Sequence, residues 1–163
     1  MEPTDFIDVR SRIAALGLSL PSGMVVLPYN LDDATQPSEL IYAGSASAVL
    51  KVLRTSGKVA AAITEEPLTM RRDHDFTIVL PTLFFAAAYL SDNPHAISVA
   101  LGVIGNYATQ MMQGIPSGGR VKLSVAVETT KTKTVRKIDY DGPPSGLAEV
   151  AKLAETIYGK DHN

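Results

Sequence analysis

The sequence predicts an α/β domain of three layers, in which helices lie on a mixed sheet. Two patterns indicate this class. Short apolar runs that end in turn residues are typical of buried strands, and longer stretches with apolar residues three and four positions apart are typical of helices. Both patterns recur along the 163 residues, a length that is ordinary for one domain, so residues 1–163 are expected to form a single unit.

The N-terminal part predicts a helix, a strand and a loop. Apolar residues spaced three and four apart indicate an amphipathic helix over residues 4–16, within an N-terminal segment of residues 1–17, and Gly17 is suited to end it. Residues 23–28 (GMVVLP) are apolar and predict a buried strand. The polar residues 29–37 then form a loop.

Residues 39–63 give the clearest prediction of a larger unit. Residues 40–42 are apolar and predict a strand, residues 46–56 carry a helical stripe that ends before Gly57, and residues 59–63 predict a second strand. Two strands joined by a helix favour a parallel pair with a right-handed crossover. The loop before this unit is too short for a parallel crossover, which leaves the direction of the first strand open.

Charge is almost absent from the middle of the chain. Of the 15 basic and 17 acidic residues, only Asp92 lies between positions 76 and 119. Residues 76–80 predict a buried strand, and Pro81 is suited to start a helix that ends near residue 90. A second helix is expected from Asn93, as N-cap, to about residue 113, before Gly114.

Two consecutive helices that are apolar on nearly all faces need cover on all sides, and one sheet covers only one side. The sequence therefore predicts that a second copy of the chain or another protein covers residues 81–113. The candidate interface residues are Phe84, Tyr107, Met111 and Met112. A membrane-active role is a third alternative, since the two apolar runs are shorter than the roughly 20 residues of a spanning helix but suit a short re-entrant hairpin.

The last part of the chain predicts an antiparallel hairpin over residues 120–140 and a C-terminal helix over residues 145–158. Apolar and polar residues alternate from Val121 to Glu128, which indicates a strand with one face in water. The return strand breaks this alternation, and a bulge at residues 135–136 would restore it. Gly159 is suited to end the final helix.

The strongest candidate for a ligand site is the turn between a predicted strand and the helix that follows. Gly44, Ser45 and Ser47 would place free N–H groups, two hydroxyls and the positive end of a helix dipole around an anion such as a phosphate. Thr64 and Glu65 follow the next predicted strand and would complete the rim. The plainer interpretation is that Ser45 only caps the helix.

Several classes of function find no support in the sequence. Cysteine is absent, which excludes thiol catalysis and cysteine-bound metals and favours a reducing cytoplasm. No nucleophile elbow, dinucleotide fingerprint or P-loop is present, and no cofactor or metal is expected. The net charge of −2 does not favour nucleic acid. The leading hypothesis is a non-catalytic cytoplasmic module that associates with itself or with another protein, and the alternative is a phosphate- or nucleotide-binding sensor or enzyme.

Overall fold

A mixed sheet of seven strands forms the centre of the computed structural model. The structure describes residues 2–64, 70–71, 77–114, 119–129 and 134–162, with the side chains of all except residues 70–71 and 160–162. The strands are β1 (Thr4–Asp5), β2 (Met24–Leu27), β3 (Tyr42–Ala43), β4 (Ala60–Ala62), β5 (Met70–Arg71), β6 (Thr77–Val79), β7 (Thr82–Phe85), β8 (Arg120–Glu128) and β9 (Val135–Gly142). The helices are α1 (Val9–Ala15), α2 (Ala46–Thr55), α3 (Ala87–Asp92), α4 (Ala96–Met111) and α5 (Leu147–His162).

The sheet lies between two layers of unequal extent. Its order is β1-β9-β8-β7-β2-β4, with β6 also beside β8, and β3 and β5 pair separately. On one face α5 packs on β8 and β9, α4 packs between α2 and α5, and α2 packs on β4. On the other face α1 and the loop after β2 cover part of the sheet, since Arg10 of α1 donates to Glu128 of β8 and Arg12 donates to carbonyl oxygens of that loop. The predicted three-layer α/β class with a mixed sheet is confirmed.

The parallel strands joined through α2 are not the two strands that the sequence predicted. β2 is parallel to β4 and antiparallel to β7, and α2 follows β2 and precedes β4 in the chain. β3 pairs with β5 instead, so the prediction that residues 40–42 and 59–63 are neighbours is wrong. A strand of two residues offers few hydrogen bonds, whereas all four residues of β2 are apolar and buried, which suits a central position covered on both faces.

The prediction of a helix from Pro81 to about residue 90 is also wrong. Residues 82–85 form β7, which is parallel to β8, and only the short α3 follows it. Two successive phenylalanines favour a strand. Val79 lies opposite Lys122 and Leu83 opposite Val125, so three residues around Pro81 face two on β8. This bulge accommodates Pro81, which has no N–H to donate to the ladder.

The hairpin of β8 and β9 is confirmed, but the predicted bulge at residues 135–136 is wrong. The register is continuous from Val121 opposite Gly142 to Glu128 opposite Val135. Val135 and Ile138 lie on opposite faces of the strand and both are buried. The alternation fails because both faces of the sheet are covered at this end.

The helix ends differ from the prediction by a few residues. Residues 4–5 pair with β9 as β1, and α1 begins only at Val9, after the carboxylate of Asp8 accepts the Ser11 N–H at 3.1 Å. α4 begins at Ala96, because Asn93 ends α3 rather than capping the next helix. α5 continues past Gly159.

Candidate functional site

The predicted anion site at the start of α2 is partly occupied by the protein itself. Ser45 has helical backbone angles and its side chain makes no capping hydrogen bond. Its hydroxyl instead donates to the carbonyl oxygen of Val79 at 2.7 Å, which ties α2 to β6. Gly44 is exposed and Ser47 is half-buried. Because the Ser45 proton is already donated, this hydroxyl is not available as a donor to an anion.

Thr64 has a partner that the sequence did not indicate. Its hydroxyl lies 2.8 Å from the hydroxyl of Tyr42, whose side chain is buried. Burial raises the pKa of Tyr42, although the hydrogen bond to Thr64 opposes this. Glu65, the remaining predicted ligand residue, lies outside the described residues. The phosphate hypothesis therefore stays a prediction, with Ser45 and Thr64 both engaged in contacts within the chain.

The four predicted interface residues have different surroundings. Phe84 is fully buried in β7, a central strand, and Met112 is buried and packs close to Gly119. Tyr107 is half-buried, and burial raises its pKa. Only Met111 is exposed, with 58% of its surface accessible. Placing Phe84 on an open helical face was wrong, because the residue belongs to a strand that is covered from both sides.

The outer face of α4 lacks charged residues, which is the property from which the sequence predicted a protein interface. α4 contains no charged residue over its 16 positions, although about half of them are exposed. Val99 and Met111 are the exposed large apolar side chains on this helix. The remaining exposed residues are small or polar without charge: Ser98, Gly102, Asn106, Thr109 and Gln110.

A groove of about 460 Å³ runs between α4 and α5 beside this face. Small residues from both helices line it, and Lys152 is its one charged residue. The ammonium of Lys152 lies 3.7 Å from a carboxylate oxygen of Glu149 on the same helix. Sequence reasoning missed this groove, although the pair Gly102 and Gly105, one helical turn apart, was a signal for it.

The most buried charged group in the described residues is the carboxylate of Glu128, with 6% of the residue exposed. Arg10 donates to it twice, from Nε at 2.6 Å and from Nη2 at 3.0 Å, and the Ala87 N–H donates at 3.0 Å. Burial opposes ionisation, but these hydrogen bonds outweigh it and hold the pKa of Glu128 below its ordinary value. A carboxylate with all these donors links α1, β8 and the start of α3, and is not poised as a base. Sequence reasoning placed Glu128 on a face in water.

Two kinds of site are absent from the described part of the chain. No three histidine, aspartate or glutamate side chains there lie close enough together to hold a metal ion. No helix there combines the length and the apolar character needed to cross a membrane.

Comparison with protein-family models, with curated proteins and with solved structures found no match to this chain.

Proposed function

We propose that this chain is a non-catalytic cytoplasmic module that associates with a second copy of itself. The surface is the outer face of α4 together with the groove between α4 and α5. The lack of any charged residue on α4, a helix with one side exposed, is the observation that supports this proposal.

The inner side of α4 does not account for this lack of charge. Ala100, Ile104 and Ala108 are buried against the rest of the domain, as expected for the apolar stripe of a surface helix. The opposite side of such a helix normally carries charged residues, which keep it in water. Here that side carries Val99, Met111 and uncharged polar groups instead. A surface of this composition is suited to contact with protein.

A second copy fits this face better than a charged partner. In a two-fold symmetric contact the same patch serves both subunits, so a charge near the axis would face an identical charge. The outer face of α4 carries no charge of its own, and the charges of α5 beside it have partners within the chain: Lys152 is paired with Glu149, and Glu155 accepts a hydrogen bond from Ser98. Such a face limits this repulsion and offers little complementary charge to a strongly acidic or basic partner. The small residues of the groove leave space that side chains of the other copy can fill, as ridges fill grooves in helix packing.

The mass of the purified protein in solution tests the proposal. We expect light scattering after size exclusion to give a dimer that dissociates on dilution. Met111→Glu should lower the fraction of dimer, because a buried contact would then have to desolvate two facing carboxylates. Val99→Glu should have the same effect.

The matched control is Gln36→Glu, which adds the same charge at an exposed position outside α4 and α5. Met112→Glu is not a suitable test, since Met112 is buried and the change would destabilise the fold itself. A wild-type protein that is monomeric at high concentration would contradict the proposal. The proposal would also be contradicted if the wild type is a dimer and Met111→Glu, like Gln36→Glu, leaves the fraction of dimer unchanged.

A further inference from the structure

A cavity of about 480 Å³ opens on the face of the sheet opposite to α4 and α5. Residues of β8 and β9, among them Lys122 and Ser124, line it. Phe6, which precedes α1, and residues of the loop after β2 line it as well. The volume lies within the range of about 300–1,000 Å³ that is usual for small-molecule sites.

Most charges around this cavity are already compensated within the protein. The ammonium of Lys137 lies 3.6 Å from a carboxylate oxygen of Asp139 and 4.9 Å from the centre of the Phe6 ring. Asp139 also accepts a hydrogen bond from the Ser124 hydroxyl. On the same strand, Asp141 is paired with Arg120 at 3.0 Å.

Two further charged residues line the cavity; they have opposite signs, and both are exposed to solvent. Lys122 on β8 and Asp32 on the loop both line the cavity. Neither forms an ion pair with any residue that the structure describes, and they are not paired with each other. Lys122 lies opposite Asp141 in the register, but the carboxylate of Asp141 is held by Arg120.

We propose that this cavity binds a small amphipathic zwitterion of the amino-acid type. The carboxylate of the ligand pairs with Lys122, its ammonium pairs with Asp32, and its apolar side chain lies against the half-buried Phe6 and Ile7. A ligand with one charge could pair with only one of these two exposed groups, whereas a zwitterion can pair with both. This site does not depend on the proposed self-association, because it lies on the other face of the sheet.

Three compounds that share a phenyl ring test the charge requirement. They are L-phenylalanine, 3-phenylpropionate, which lacks the ammonium, and 2-phenylethylamine, which lacks the carboxylate. We expect NMR titration of the full chain to show saturable binding of phenylalanine, with each singly charged compound about two- to fivefold weaker. Equal affinities for all three compounds, or no binding of phenylalanine at tens of millimolar, would overturn the proposal.

Paired variants locate the site. Lys122→Met and Asp32→Asn should each weaken phenylalanine binding about two- to fivefold. Their controls are Lys51→Met, at an exposed position of α2, and Asp33→Asn, next to Asp32 but not lining the cavity. Site variants that bind like their controls would refute the assignment.

Phenylalanine binding should be unchanged in the Met111→Glu variant, which carries its new charge on α4. The cavity and the self-association can therefore fail separately. If Met111→Glu abolishes binding, the cavity is not an independent site and the proposal is overturned.

Discussion

Replacing Arg10 with methionine tests how strongly the buried carboxylate of Glu128 holds α1 on the sheet. The change keeps most of the length of the side chain but removes both donors that reach Glu128 at 2.6 and 3.0 Å. The carboxylate is then left with the Ala87 N–H as its one donor among the described residues. Its side chain is 8% exposed, so water replaces the lost donors poorly.

The expected cost follows from this unequal exposure. Breaking a buried ion pair by removing one partner costs about 3–5 kcal/mol, and a hydrogen bond to a charged group contributes about 1.5–3 kcal/mol. The Arg10 side chain is 50% exposed, so water screens the pair, and the cost should be smaller than for a fully buried ion pair and close to that of a hydrogen bond to a charged group. We expect Arg10→Met to lower the free energy of unfolding by about 2–3 kcal/mol.

Glu128→Gln should cost less than Arg10→Met, about 1–2 kcal/mol. It leaves Arg10 free to be hydrated, and the amide oxygen can still accept the Ala87 N–H. Urea denaturation, followed by circular dichroism, measures both changes as shifts of the midpoint at a nearly constant slope. The control is Arg120→Met. It breaks the exposed pair with Asp141, in which the two side chains are 62% and 46% exposed, and it should cost no more than about 1 kcal/mol.

The pH dependence gives a second test of the same contact. The pKa of Glu128 in the folded chain lies below its ordinary value of 4.5, so the contribution of this group is complete above that value. It is lost as the pH falls through the lowered pKa of the folded state. The difference in stability between wild type and Glu128→Gln should therefore shrink on acidification. An Arg10→Met variant as stable as Arg120→Met, or a pH-independent difference, would refute the reasoning.

Two further substitutions test how β2 and α2 are positioned. Gly23→Ala should lower the free energy of unfolding by about 2–4 kcal/mol, because the φ of Gly23 is +84° and a Cβ would lie 2.4 Å from the Val59 carbonyl oxygen. The control is Gly17→Ala, where φ is +73° and no atom lies within reach of the new Cβ. It should cost only about 1–2 kcal/mol in the same urea assay. Equal losses would mean that the contact with Val59 is unimportant. Ser45→Ala removes the hydrogen bond between α2 and β6 and should cost about 1 kcal/mol, whereas Ser19→Ala, at an exposed position, should be neutral. An unchanged midpoint for Ser45→Ala would show that this hydroxyl does not hold the helix.

The sequence predicted those helices and strands that have a regular pattern of apolar residues. It did not predict which strands lie next to each other in the sheet. The hairpin of β8 and β9 and the helix α5 follow from local patterns of apolar residues, and both are present. The partner of β4 depends on which strand can be buried on both faces. That property emerges only when the layers assemble, so residues 24–27, rather than residues 40–42, became its neighbour.

The candidate sites show the same limit. Glu128 reads as a solvated residue in an alternating strand, because its partner Arg10 is far away in the sequence. Lys122, on the same face, is exposed as predicted. The difference between them is set by α1, which covers one end of the strand and leaves the other end open. No local pattern indicates where a helix from another part of the chain will lie.

The near absence of charge between residues 76 and 119 has two physical origins that the sequence could not separate. β7 and the inner stripe of α4 lack charge because they are buried, and burial of an unpaired charge is costly. The outer face of α4 lacks charge although it is exposed, so burial within one chain does not explain it. Adjacent methionines illustrate the division, since Met112 is buried and Met111 is exposed on the same helix end. A charge at Met111 therefore tests association alone, whereas a charge at Met112 would test folding.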